Sequence, residues 1–387
     1  MRRVAIVGVG MTKFGEHWER SFRELILEAG TKALQDAQMR GEEIDGLFGG
    51  TMASGTLIGQ EHIGAIIADS TGLTPVPAVR VEAACASGGL ALRMGYLAVA
   101  SGHHSHVVVG GVEKMTDIGP DEAMLALGGA GDQEWELFQG ATFPALYALM
   151  ARRHMLEYGT TEEQMAAVAV KNHAHAAKNP YAHFQNEITI DDVMNSRPVA
   201  SPLKILDCSP ISDGAAAVVL VPLEEARKYS DTPIEIAAST QASASLALAG
   251  RRTHTSLYAT KIASQKAYQE AGVEPKDIDV CEVHDCFTIA EIMAIEDLGF
   301  VEKGKGGPAT LDGETRIGGR IPINTSGGLK GCGHPVGATG VKQAVEIIWQ
   351  LRGQAEGRQV SNAEIGMTHN VGGSGATCVT HILKRAD

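Results

Sequence analysis

Two glycine-rich stretches carry side chains suited to nucleophilic chemistry. The first, Val81-Glu82-Ala83-Ala84-Cys85-Ala86-Ser87-Gly88-Gly89, runs into an apolar helical pattern through Leu90, Met94 and Leu97. A cysteine at a helix start meets the positive end of the aligned backbone dipoles. That setting favours the thiolate, so Cys85 is expected to have a lowered pKa. The second stretch, Asn324 to Gly340, holds six glycines in seventeen residues around Gly333-His334-Pro335. Val341, Val345 and Ile348 follow at helical spacing. A loop of this kind serves equally well as a tight structural turn. Set beside Cys85 on a comparable element, His334 becomes a candidate base for a thiol nucleophile.

Two further groups join them. His284-Asp285-Cys286-Phe287 follows a strand pattern at Ile278 to Val283, a place where active groups collect. His369-Asn370-Val371-Gly372-Gly373-Ser374-Gly375 has glycines able to present backbone N–H groups, which an oxyanion hole needs. Singly, His284 and Cys286 read as packed residues just as well, and Asp285 as a ligand of the local backbone. A metal site of His284, Cys286 and His334 lacks a recognised ligand spacing, so no metal is expected. The four groups together are far more specific than any one.

A chain of 387 residues exceeds one small core, which implies two domains or a duplicated unit. Hydrophobic residues at 44% and charged residues at 20% fit an ordinary soluble globular protein. A formal charge of −13 argues against a nucleic-acid surface. It leaves an anionic small substrate open, with Arg251, Arg252 and Lys204 as candidate contacts, or as plain surface charge. No apolar run approaches a membrane span. Met1-Arg2-Arg3 before Val4 to Val9 is too short for a signal peptide and reads as a first strand. Six scattered cysteines without a CxxC pair indicate neither disulfides nor a zinc knuckle, so a reducing cytoplasm is expected.

The pattern along the chain repeats. Val4 to Val7, the helix begun by the Ser21–Glu24 capping box, the strand Ile44 to Phe48, the Cys85 helix, the strand His106 to Gly111 and the strand Ala215 to Val221 form one series. Ile234 to Ala237, the helix Thr255 to Ala271, Ile278 to Val283, the His334 helix, Met367 to Gly373 and Cys378 to Leu383 form a second. An internal α/β duplication accounts for both and makes the Cys85 and His334 helices symmetry mates. The expected halves are 1–225 and 226–387. A less regular segment, about 115–201, with a helix from Thr160 to Asn172, is inserted in the first half as a lid or binding segment.

These stretches resemble the thiolase superfamily, in particular its archaeal and sterol-carrier-type branch. Ala84-Cys85-Ala86-Ser87-Gly88, His284-Asp285-Cys286-Phe287, Gly333-His334-Pro335 with Gly337 to Gly340, and Asp207 to Ala216 carry the resemblance, which spans the whole chain. It implies an α/β thiolase fold: two pseudo-duplicated βαβαβαββ halves in an α-β-α-β-α core with an inserted loop domain. It further implies a Claisen condensation of two acetyl-CoA to acetoacetyl-CoA. Cys85 would carry the acyl group, and His334 would take its proton. His284 would hold the oxyanion of the second thioester, and Cys286 would remove its α-proton. The N–H groups of Cys85 and Gly372 would form a second oxyanion hole. Coenzyme A would enter as part of the substrate, with no tightly bound cofactor.

One departure stands out. Better-known thiolases carry a cysteine base where this chain has Asn370, which cannot serve as one. The partners implied are a second copy, as a homodimer or homotetramer, a DUF35-type OB-fold/zinc-ribbon protein and hydroxymethylglutaryl-CoA synthase. The strand His106 to Val109 is expected at the dimer edge. Alternatives are a longer 3-ketoacyl-CoA or non-CoA acceptor, a non-catalytic lipid or partner scaffold, and a papain-like hydrolase, whose local signature is missing.

Overall fold

The computed structural model describes residues 1–386. Nine strands form one hydrogen-bonded series. They are β1 (Val4–Met11), β2 (Gly46–Gly50), β3 (Ala78–Val81), β4 (Val107–Glu113), β5 (Gly214–Pro222), β6 (Ile234–Ser243), β7 (Val280–Glu282), β8 (Ile365–Gly372) and β9 (Thr377–Arg385). Their spatial order is β3-β2-β4-β5-β1-β6-β9-β8-β7. Read outward from the β1–β6 junction, the two sides match strand for strand. β1 answers β6, β5 answers β9, β4 answers β8 and β2 answers β7, with the same parallel and antiparallel pairings. A single parallel bridge from Cys281 to Ile323 stands where β3 stands in the first half. The halves touch at β1–β6 only through Ala5–Glu235 and Ile6–Ile234, so the sheet can fold back there.

Helices fill the layers. Ser21 and Glu24 close the expected capping box at the start of α1 (Phe22–Asp36), with Ser21 N–H donating to Glu24 Oε2 over 2.7 Å. Leu25, Ile26, Ala29 and Ala33 bury its inner face on β1, β5 and β4. A Cβ on Gly8 or Gly10 would lie 2.2 Å from Ala33 O or 2.4 Å from Ala29 O. The glycines of β1 therefore serve helix–strand packing. Helix α2 (Ser87–Ala100) and a later helix, Thr339–Arg352, contact each other and strands of both halves. The helix Tyr258–Ala271 covers β6 and β9 from outside. The outcome is a five-layer α-β-α-β-α stack.

A central helix has no solvent face. In Thr339–Arg352 even Lys342 and Glu346 are buried, and each is paired, Lys342 with Glu282 at 2.9 Å and Glu346 with Arg358 at 3.0 Å. Helix α2 differs from expectation. Gly88, Ala91, Leu92, Gly95 and Val99 are its buried face, while Leu90, Met94 and Leu97 are only half-buried. Gly88 faces inward where the two central helices approach closely, and Gly95 where α2 lies against Val109 and Leu220 of the sheet.

The segment between β4 and β5 carries α3 (Pro120–Gly128), α4 (Phe143–Tyr158) and α5 (Glu162–Ala176). The chain then supplies α6 (Tyr258–Ala271), α7 (Thr288–Asp297), α8 (Gly328–Cys332) and α9 (Thr339–Arg352). Helices α4 and α5 pack on α7, and α5 also on α8, so the inserted segment covers the loops of the candidate site. The expectation for His106 to Val109 fails. Strand β4 lies inside the sheet, hydrogen-bonded to β2 and β5, and the edge strand of the first half is β3. A parallel crossover through α2 carries the chain past β2, which sequence order alone does not reveal.

Candidate active site

Cys85 sits in a sharp turn between β3 and α2. Ala84 adopts φ +53°, a left-handed conformation that costs an alanine about 1–2 kcal/mol. Local hydrogen bonds hold it there. Ser87 Oγ accepts the Ala83 N–H at 2.9 Å and donates to Ala84 O at 2.6 Å, while the Glu82 carboxylate accepts the Ala84 N–H. The turn projects the thiol toward α9. Burial pushes that thiol up to about 12, and the carboxylates of Glu113 and Glu82 add to the rise. The N–H groups of Gly373 and of Cys85 itself only partly offset this. The expected depression at the helix start is therefore reversed, because desolvation outweighs the dipole. Cys85 rests as a thiol and needs a base.

His334 provides one. Its Nδ1 lies 2.7 Å from Thr339 Oγ1, and that hydroxyl donates its single proton to Pro335 O at 3.0 Å. Nδ1 must then be the donor toward Thr339, which leaves the Nε2 lone pair free. Burial, with a smaller effect from Lys342, lowers the imidazole to about 3, so it rests neutral. Cys85 and one nitrogen each of His284 and His334 lie within 4.8 Å of one another. The close approach of α2 and α9 sets this spacing, since a Cβ on Gly88 would lie 2.5 Å from Gly337 O. Such a cluster also has the donor types of a soft-metal site, but it is Cys85, not Cys286, that joins the two histidines.

Asn370 determines what His284 can do. Its Oδ1 accepts the Gly89 N–H at 3.1 Å, which orients the amide. Its Nδ2 then donates to Cys85 O at 3.0 Å and to His284 Nδ1 at 3.2 Å. His284 Nδ1 is thus the acceptor, and its proton resides on Nε2. That Nε2 is buried and has no partner among the described residues. Burial, with His334 adding to it, drives its pKa well below the usual value, so it stays neutral. A buried, unsatisfied N–H costs about 1–3 kcal/mol and is retained where a ligand oxygen will accept it. His369 supports the arrangement, its Nδ1 accepting the His284 backbone N–H at 3.3 Å and its Nε2 lying 2.8 Å from Thr260 Oγ1.

Asp285 is a brace between loops. Its carboxylate accepts N–H groups of Leu329 and Lys330 and the Asn172 amide, and so ties the His284 segment to the loop before His334. Burial and nearby Glu291 raise it to about 7. Glu113 braces the other side with no cationic partner among the described residues, accepting from Thr51, Met52, Ala53 and Gly337. Cys286 is buried, and burial raises its thiol well above the usual range, while the Tyr147 hydroxyl opposes the rise. Cys85 is close enough that its charge disfavours the Cys286 thiolate. Cys281, Cys332 and Cys378 are fully buried, in keeping with structural roles.

Two expectations shift. The backbone N–H that approaches Cys85 is that of Gly373, while Gly372 is the last residue of β8. Arg251 is no free anion contact, because its guanidinium donates to Ser374 O at 2.6 Å, Ser374 Oγ at 2.8 Å, and the carbonyls of Ser245 and Leu246. It clamps the glycine loop that bears Gly373. Lys204 is likewise occupied by Glu162. The sequence offers Arg251 only as an anion contact, and it singles out none of Tyr147, Thr339 and Glu113 as a site residue. Only Thr339, five residues after His334 at a helix start, offered a signal.

The site matches a known family over nearly the full chain. Residues 4–224 match the model described as thiolase, N-terminal domain, and residues 240–385 that of the thiolase C-terminal domain-like family. The chain belongs to the thiolase family. It is similar to an acetyl-CoA acetyltransferase of Methanothermobacter thermautotrophicus, with 58% identity over 100% of both chains. An acetyl-CoA acetyltransferase of Methanocaldococcus jannaschii is 52% identical over 99% of each. Among solved structures, one titled Ltp2-ChsH2(DUF35) aldolase aligns with a TM-score of 0.86 at 30% identity, over 99% of this chain and 98% of that one. The thiolase fold and its duplicated halves, expected from the resemblance, are those observed.

Proposed function

We propose that this thiolase is an acetyl-CoA C-acetyltransferase that joins two acetyl-CoA into acetoacetyl-CoA and free CoA, reversibly, through acetyl-Cys85. The observation that carries the reading is the convergence of the Cys85 thiol, the free Nε2 of His334 and the unpartnered Nε2–H of His284. The names of the two archaeal relatives support the substrate. In the first half-reaction His334 Nε2 takes the Cys85 proton and the sulfur attacks the thioester carbonyl. The Cys85 and Gly373 N–H groups face the developing oxyanion. The C–S bond to CoA breaks, and Cys286 gives its proton to the departing sulfur. In the second half-reaction the Cys286 thiolate takes an α-proton from a second acetyl-CoA, and His284 Nε2–H receives the enolate oxygen. The enolate carbon attacks acetyl-Cys85, and the released thiolate recovers its proton from His334.

Coenzyme A enters only within the substrates. A cavity of about 850 Å³ between α3 and α4, lined by Met124, Leu125, Leu137, Phe138 and Phe143, favours a second reading with longer acyl groups. Its wall residue Leu127 packs in the apolar cluster that includes Cys85. For partners, the exposed edge β3, with Val79 48% accessible beside the half-buried Leu90 and Met94, supports a two-fold contact through β3. The DUF35 component of the aligned structure supports a DUF35-type partner, with hydroxymethylglutaryl-CoA synthase as a further one. Six free cysteines support a cytoplasmic setting, and no helix among the described residues is long and apolar enough to cross a membrane.

The test is incubation with acetyl-CoA and peptide mass mapping, with acetyl on Cys85 and acetoacetyl-CoA as product. Stable acetylation of another cysteine with Cys85 free refutes the mechanism. A panel of 3-ketoacyl-CoAs with CoA separates the two substrate readings.

A further inference from the structure

Tyr147 lies on α4, outside all four motif stretches. Its side chain is 1% exposed and its ring packs on that of Phe287, with centroids 4.6 Å apart. Phe287 directly follows Cys286. The Tyr147 hydroxyl donates to Gly373 O at 3.2 Å, on the loop whose N–H faces Cys85. Burial raises the phenol well above its usual value, and the nearby Cys286 and Cys85 sulfurs raise it further against the Arg251 guanidinium. The hydroxyl is therefore a permanent hydrogen-bond donor and never a base at neutral pH. Tyr147, Cys286 and Phe287 pack together in one buried apolar cluster. Tyr147 O–H and the Phe287 N–H favour the Cys286 anion, while burial, Cys85 and Asp285 oppose it.

We propose that Tyr147 is a positioning residue for proton abstraction, its single O–H turning from Gly373 O to the Cys286 sulfur when that sulfur is an anion. The inference rests on the proposed thiolase reaction. In that step the Cα–H bond of the second acetyl thioester breaks and an S–H bond forms on Cys286. The electron pair stays on the substrate as the enolate. The Tyr147 O–H then returns to Gly373 O, so the tyrosine gives up no proton. A hydrogen bond to an anion is roughly twice as strong as one to a neutral acceptor, and this difference drives the turn. Ring packing alone would be served equally by phenylalanine.

The test is the pH profile of Cys286 alkylation by iodoacetamide, read by peptide mass spectrometry in a Cys85→Ser background. Tyr147→Phe should move the profile up by about one pH unit. In a chain that keeps Cys85, the same substitution should slow deuterium exchange of the acetyl protons at least about tenfold relative to Cys85 acetylation. 3-Fluorotyrosine at position 147, a stronger donor in the same shape, should move the alkylation profile down. Unchanged profiles with both replacements overturn the inference. Alkylation needs no acyl-CoA, so this outcome is separate from acetylation of Cys85, on which the proposed function stands.

Discussion

Gly340→Ala probes the spacing on which the site depends. A Cβ at Gly340 would lie 2.1 Å from Gly89 N and 2.2 Å from Asn370 Oδ1. Side-chain carbons essentially never come within 3.0 Å of such atoms. Helices α2 and α9 must therefore part by roughly 0.9 Å, the difference between 3.0 and 2.1 Å. Gly89 is four residues after Cys85 and Gly340 six after His334, so the parting acts on the thiol–imidazole distance. It also disturbs the Asn370 amide that orients His284. A misplacement of about 1 Å costs about a hundredfold in rate, and overpacking costs about 1–3 kcal/mol of stability. Cys85 acetylation, followed by quenched mass spectrometry, should slow by about that factor, and urea melts should show the loss. Gly30→Ala is the control, since nothing lies within 4 Å of its added Cβ on α1. It should gain about 0.5–1 kcal/mol and acetylate at the parent rate. If Gly340→Ala matches the parent in both rate and stability, the helix contact does not set the site.

Cys286→Ser should still form acetyl-Cys85 but lose condensation and α-proton exchange by about a hundredfold or more; exchange at the parent rate would move the base to His334. Arg251→Ala frees the Ser374 loop and so loosens the Gly373 N–H. Acetylation should slow by about tenfold to a hundredfold, with the steeper loss in kcat than in KM marking a transition-state contact. Stability should fall on acidification. His175, His334 and His369 are each lowered to about 3 by burial, so between about pH 6.5 and 3 the unfolded chain binds protons that the folded chain refuses. Each contributes about 1.4 kcal/mol per pH unit across that window, present above pH 6.5 and lost as pH falls. Burial raises Asp285, Glu113, Asp207 and Asp297, which act in the opposite sense, and lowers His173, His284 and His381, which act in the same sense. Urea melts at pH 7.5, 6 and 5 measure the net slope, and a flat profile would contradict the buried neutral imidazoles.

Local chemistry was legible in the sequence wherever it depends on neighbours along the chain. The Ser21–Glu24 cap, the apolar run Val341, Val345, Ile348, and the repeated order of strands are periodic or short-range, and the structure has them. The four motif stretches were legible for the same reason, since loops after strands and before helices announce themselves by glycine and polar residues. The tertiary structure alone decided whatever required two distant segments to meet. Leu90, Met94 and Leu97 looked like the buried face of α2, yet the contact with α9 selects Gly88 and the contact with strands β4 and β5 selects Gly95. Helix-start position suggested a thiolate at Cys85, yet burial beside Glu113 makes it a thiol. Strand β4 looked like an edge until a crossover placed β2 and β3 outside it. The tautomers of His284 and His334 follow from Asn370 and Thr339, and the environment of Cys286 from Tyr147 on an inserted helix. Hydrogen bonding and desolvation act through space over a few ångströms, so no reading along one dimension could assign them.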